Sequence, residues 1–176
     1  MAVLIRNRQI VHDNWQWLEA VADDPLPDAG DIIVPLACWQ RERASLLERS
    51  GRTGVWLDGA ENPESLAEDI ERLPLIAIRF PKFTDGRGYS AARLLRERYG
   101  YRGELRAVGD VQRDQLLFLY RCGFDAFALK EGQNAEAALA AFTEFSEAYQ
   151  AAIDQRVPLF RRRVELREVG DGDRSR

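Results

Sequence analysis

The residues best equipped for chemistry cluster in twelve positions, Arg79-Phe80-Pro81-Lys82-Phe83-Thr84-Asp85-Gly86-Arg87-Gly88-Tyr89-Ser90. The stretch holds three cationic side chains, three aromatics and two glycines, and Lys82 is one of only two lysines in the chain. Guanidinium forks and an ammonium beside glycines suit an anion, because the glycines let backbone N–H groups approach it and the helix that follows favours negative charge at its start. Arg79, Lys82, Thr84, Asp85, Gly86, Arg87, Gly88, Tyr89 and Ser90 therefore form a candidate anion- or partner-binding loop. Asp110 and Arg113, in Gly109-Asp110-Val111-Gln112-Arg113, join it from the end of the next strand. Asp110 either caps the helix after it or pairs with Arg79, Lys82 or Arg87 across neighbouring strand ends. From Arg79 to Arg113 there are nine basic and four acidic residues, inside a chain whose net charge is −4. Arg93, Arg96, Arg98 and Arg102 read as the solvated face of a helix and its exit loop.

Other chemistries have partial signals. Gly86-Arg87-Gly88-Tyr89-Ser90-Ala91 fits the G-x-G-x-x-A dinucleotide fingerprint, with Asp110 about twenty residues on, where a ribose-binding acid lies. The fingerprint wants a tight turn straight after the strand, yet Pro81–Asp85 intervenes. The competing reading is a helix-capping loop whose glycines serve geometry. Asp58, Asp85 and Asp110 together could hold a hard cation, but nothing fixes their spacing, so no metal is expected. Cys38 follows a strand and opens a helix, a place that can lower a thiol pKa. Cys122 reads as a buried structural thiol, and Trp15, Trp17, Trp39 and Trp56 as core.

The elements that must position these residues alternate regularly. Apolar runs at Ile32–Leu36, Gly54–Leu57, Leu75–Ile78, Leu105–Val108 and Ala126–Leu129 alternate with helical periods at Trp39–Arg49, Pro63–Glu71, Ser90–Tyr99 and Arg113–Cys122. A last helix is expected over Asn134–Ile153, with Ala138, Phe142, Phe145, Tyr149 and Ile153 as its apolar stripe. Gly51, Gly100 and Gly123 sit where helices should stop. Five strand–helix units predict an α/β domain with a mainly parallel sheet, open and flavodoxin-like or a partial barrel, since a closed eight-unit barrel takes about 250 residues. Ligand sites on such sheets lie at the C-terminal strand ends. Val3–Ile5 and Gln9–Val11 predict an N-terminal β-hairpin that pairs either with the main sheet or with another subunit. The organisation expected is a hairpin and acidic loop over 1–30, the α/β domain over 31–155, and a charged, flexible tail over 156–176, with ten charges between Arg161 and Arg176.

Composition narrows the classes. At 176 residues the chain suits one domain, and 45% apolar with 31% charged residues is a globular balance. Mild acidity argues against nucleic acid as a partner, and no apolar run is long enough for a bilayer. The N-terminus turns polar too early for a signal peptide, so the cytoplasm is expected. Two cysteines and one histidine cannot build a four-Cys zinc or iron–sulfur site in one chain.

The run FPKFTDGRGYSAARLLRERYGYRGELRAVGDVQRDQLLFLYRCGFDAF, residues 80–127, resembles the domain of unknown function 934 family of bacterial proteins. The resemblance extends from about Ile10 to Ile153 and does not take in the charged segment 161–176. Members of that family are typically encoded beside the sulfite reductase hemoprotein and other sulfate-assimilation genes, and are often labelled probable oxidoreductases of sulfite reduction. The resemblance thus implies a place in sulfite reduction and carries over no catalytic residue. Sulfite reduction takes six electrons, and this chain has no cysteine set for a redox cluster. Three readings follow. One is an accessory protein docking to sulfite reductase or its electron donor through the basic loop. Another is an oxidoreductase using a flavin or nicotinamide nucleotide at the GRGYSA loop, with no tightly bound cofactor expected. The third is a module that binds or senses a small oxyanion without turnover.

Overall fold

The computed structural model of the chain describes residues 3–19 and 26–163. The 164–176 part of the charged tail and the 20–25 part of the acidic loop lie outside the described residues.

Asn7 and Arg8 both have positive φ, 51° and 62°, the left-handed pair that closes a two-residue hairpin with the right twist. They join β1 (Val3–Arg6) to β2 (Gln9–His12). A two-residue strand, β3 (Gln16–Trp17), follows. Then come β4 (Ile32–Pro35), helix α1 (Leu36–Glu48), β5 (Thr53–Asp58) and a 3-10 segment at Pro63–Asp69. After β6 (Leu75–Phe80), helix α2 (Arg87–Arg93) runs into a π turn at Leu94–Arg98. Strand β7 (Glu104–Gly109) leads through a 3-10 turn at Arg113–Gln115 into α3 (Leu116–Arg121), and β8 (Ala126–Ala128) precedes α4 (Ala135–Leu139).

All eight strands form one open sheet in the order β2-β1-β8-β7-β6-β5-β4-β3. The pairings from β3 through β8 are parallel, whereas β1 lies antiparallel to both β8 and β2. The sheet is therefore mixed, not mainly parallel: the hairpin fills the edge beside β8, with Ile5 opposite Phe127, and so pairs with the main sheet. A short link fixes the curvature. Strands β2 and β3 are the two edges, yet only Asp13–Trp15 separates them. Four residue steps reach at most about 14 Å, while eight flat strands would span about 33 Å. The sheet must curl until its edges approach.

Strand alternation then gives two cores. On the convex face Ile76, Ile78 and Phe80 of β6 pack with Val55, Leu57 and the helices, all fully or nearly fully buried. The concave face holds Ile33, Trp56, Leu75, Ala77 and Val108, covered by Trp15 and Trp17. Arg106 also faces inward, 2% exposed, and is held by Asp13 and Glu104 at 2.7 Å each. Burial of a cation there is tolerated because two carboxylates flank it.

The last helix is shorter than its apolar stripe predicts. It ends by Thr143 after a 3-10 turn, and Phe145 and Tyr149 are each 68% exposed. Helix α3 takes over the backbone groups instead: Ile153 N donates to the Arg121 carbonyl, and the Arg121 guanidinium binds the Gln150 carbonyl. Pro63–Asp69 is likewise 3-10 rather than α. Gly100 and Gly123 do stop their helices with positive φ. Among the described residues no helix is long and apolar enough to cross a membrane.

Candidate functional site

The C-terminal ends of β5 to β8 gather Asp58, Arg79, the 81–90 loop, Asp110 and Lys130. Arg79 is the penultimate residue of β6, and alternation with Leu75 and Ala77 turns it to the concave face. Its guanidinium lies 4.6 Å from the centroid of Trp56, and Trp56 stacks on Trp17 at 5.3 Å. Asp58 and Glu19 each accept from it at 3.1 Å. Arg79 thus stops the mouth of the curled sheet, and its charge is already met by two carboxylates.

The loop is built from the strand end outward. Gly109 has φ +96° and approaches so closely that a Cβ there would lie 2.4 Å from the Phe80 carbonyl oxygen. That approach lets Asp110 N donate to the same carbonyl at 2.8 Å. The Asp110 carboxylate then accepts from Phe83 N at 3.2 Å, from Gln112 Nε2 at 3.3 Å and from Lys130 Nζ at 2.9 Å. Lys130 and these donors hold its pKa below the usual carboxylate value. Asp110 therefore pins the loop to β7 and β8. It neither caps the next helix, which closes with a Gln112–Gln115 box, nor pairs with Arg79, Lys82 or Arg87. The acid could not be placed from sequence because Lys130 lies twenty residues away on a different strand end.

Asp85 accepts from Arg87 through Nε at 2.9 Å, Nη2 at 2.6 Å and the backbone N at 3.2 Å. These bonds lower its pKa to about 2. The negative group at the start of α2 is thus the protein's own. Gly88 serves packing: a Cβ there would sit 2.6 Å from the Phe80 ring. Gly86 has open space around its Cα and an ordinary φ. The GRGYSA run opens α2 at Gly86, with Pro81–Asp85 between strand and helix, and Asp110 is paired with Lys130. Tyr89 is half-buried between Phe80 and Phe118 and accepts from Gln115 Nε2 at 3.1 Å. Thr84 and Ser90 are exposed. Arg113 binds the Ala137 carbonyl and Glu144, so its charge is drawn to α4 rather than to the loop.

Two side chains stand out by contrast. Lys82 is exposed, and among the described residues it forms no ion pair. Phe83 is 42% exposed although its backbone is fixed at both ends, by Asp110 at N–H and by Gln115 at the carbonyl. A cation and a phenyl ring are thus presented side by side on a backbone hydrogen-bonded at Phe83.

The remaining candidates are structural or separate. Asp58, Asp85 and Asp110 each bind a different cation, and no group of three metal-ligating side chains occurs among the described residues. Cys38 and Cys122 are buried, and burial pushes both thiols up, so the helix start does not activate Cys38. Arg93 meets Glu97 on the surface, but Arg96 is not a surface residue. It donates to the Gly123, Tyr101 and Gly103 carbonyls at 2.8–2.9 Å and to Asp125 at 2.7 Å. Trp17 and Trp56, read from the sequence as core, do pack in the concave core, and there Trp56 also meets Arg79 at the mouth, with Trp17 stacked on it; Glu19 carried no signal in the sequence.

The fold and this strand-end face define a small α/β domain with a curled mixed sheet and a polar loop tied to its strand ends through Asp110. The family model described as "Bacterial protein of unknown function (DUF934)" matches residues 54–160, and the chain belongs to that family. No curated protein matches the chain.

Proposed function

We propose that this protein is an accessory component of assimilatory sulfite reduction, docking onto the sulfite reductase hemoprotein or its electron donor through the 79–90 loop. The observation that carries the reading is the exposure of Lys82 and Phe83 side by side, on a backbone that is hydrogen-bonded at Phe83 N–H and carbonyl. An exposed phenyl ring is the kind of side chain that interfaces bury, and the lysine ammonium beside it adds a point charge that an acidic partner would meet. The pathway comes from the family resemblance, whose members are encoded beside the hemoprotein. Arg79 and Arg87, neutralised by Asp58, Glu19 and Asp85, shape and brace the face; the contact itself falls to Lys82 and Phe83. The reading assigns the protein no turnover of its own.

The test is growth on sulfate as sole sulfur source in a strain lacking the protein. The Lys82→Ala, Phe83→Ala double variant is expected to fail to restore growth. Its stability should stay within about 1 kcal/mol of wild type, since exposed loop substitutions rarely cost more. Arg93→Ala should restore growth fully. Normal growth with the double variant would leave the loop without a role.

A further inference from the structure

A second surface, adjoining the strand-end loop where Phe118 packs on Tyr89, has the features of a peptide groove. It is a cleft of about 730 Å³ between α3, the end of α4 and the 144–162 segment. Phe118, Tyr120, Phe142 and Phe145 line it, and Phe118 and Phe145 are 57% and 68% exposed. Three of its carboxylates are already matched, Glu144 by Arg113, Asp154 by Arg121 and Glu147 by Arg162. Arg8 is different. Its guanidinium lies 4.3 Å from the Tyr120 centroid and 5.9 Å from that of Phe142, and among the described residues no carboxylate pairs with it. Stacking on a ring holds the fork in place while leaving its N–H edge for an oxyanion.

The backbone singles out the same residue. Arg8 occupies the second left-handed position of the hairpin turn, with φ 62°, where glycine is the favoured residue. Strain kept at such a position points to a function for the side chain that occupies it. Asp114, also on the cleft lining, sits on the 3-10 turn that leads into α3, six residues before Tyr120 in the chain. A chain that is acidic throughout would meet repulsion there, so the occupant carries its charge at one end. The cleft is open and its lining mixes charged with aromatic side chains, unlike the enclosed, mainly apolar sites of small ligands.

We infer that this cleft binds an extended peptide segment of a partner protein, with an apolar or aromatic anchor against Phe118 and Phe145 and an adjoining carboxylate on Arg8. The inference rests on the docking reading only in supposing a protein partner. Phe118 also packs on Tyr89 at 5.0 Å, so the cleft adjoins the strand-end face and one partner could engage both.

The probe is the peptide acetyl-Gly-Phe-Phe-Glu-amide, titrated into the full chain by calorimetry and by NMR at low salt. Saturable binding is expected, with shifts at Arg8, Phe118 and Phe145. Replacing the glutamate by glutamine, or making Arg8→Gln, should each weaken binding at least fivefold, and the two together should weaken it no further. Phe145→Ala should weaken it at least threefold. Arg8→Gly, which gives the turn its favoured Asn-Gly pair, should melt at or near the wild-type temperature and still lose binding. No binding by the wild type, equal binding of the glutamine peptide, or full binding by Arg8→Gly would overturn the proposal. The two readings fail separately. If the hemoprotein binds wild type and Arg8→Gln alike while the peptide does not bind, the cleft assignment falls and the docking reading stands. If the peptide behaves as expected and the hemoprotein does not bind, the reverse holds.

Discussion

Arg96→Ala is expected to lower stability by about 3 kcal/mol and the melting temperature by roughly 10 °C, since it removes one partner of a part-buried ion pair together with the donor of three backbone carbonyls. The Arg96 side chain is 13% exposed and reaches four acceptors at once. Without it the Tyr101, Gly103 and Gly123 carbonyls lose their donor, and the Asp125 carboxylate loses its cation. The pH dependence carries a second signature. Burial raises the Asp125 pKa above 3.8, and Arg96 is the main group opposing that rise. In the variant the folded-state value climbs further. A carboxyl that holds its proton more tightly when folded loses stability as pH rises through the window from 3.8 to its folded value. The deficit of Arg96→Ala should therefore be smallest near pH 4 and widen toward neutrality, and adding Asp125→Asn should recover part of it at pH 7. Thermal or urea melts across that range check both. A melt unchanged from wild type would return Arg96 to the solvated surface.

Gly109→Ala is the second large effect, with about 3 kcal/mol expected. Alanine is poorly tolerated at φ +96°, and its Cβ would fall 2.4 Å from the Phe80 carbonyl oxygen. Backbone has to give on one side, because neither atom belongs to a flexible side chain. The movement would break the Asp110 N–Phe80 O bond and carry Asp110 away from Phe83. The variant should melt several degrees lower and also show faster amide exchange across 81–85. Asp110→Ala separates the two effects: it removes the pin on Phe83 without the backbone clash, so it should speed exchange in the loop at a smaller cost in stability. A Gly109→Ala variant as stable as wild type would mean that the β6–β7 ends are not packed as described.

Local pattern made much of this fold legible. Each of the five apolar runs forms a strand, and the Asn7-Arg8 turn closes a hairpin even though its second residue is not glycine. What the pattern lacked was long-range information. The antiparallel pairing of β1 with β8 joins residues more than a hundred positions apart, and the curl follows from which strands become edges. The helix expected to run to Ile153 stops ten residues early because Arg121, not the helix itself, satisfies the backbone groups of Gln150 and Ile153. Arg96 looked like its neighbours Arg93 and Arg98 for the same reason: its four acceptors sit on other segments. The only trace was the company of Gly103 and Gly123, the latter leaving room that a Cβ would take 2.6 Å from Arg96 Cγ. In the loop, charge composition identified a cationic stretch, but not that Arg79 and Arg87 are neutralised within the chain while Lys82 is left exposed.

The docking claim is tested most directly by titrating the purified chain into the sulfite reductase hemoprotein from the same source, with calorimetric detection at low and at raised salt. The account predicts a saturable complex at low salt. It should weaken as salt rises, because exposed charges are screened over about 8 Å at physiological ionic strength. The Lys82→Ala, Phe83→Ala variant should fail to form it while melting as the wild type does. No heat and no complex at low salt with either the hemoprotein or its electron donor, or a complex that the double variant forms equally well, would contradict it.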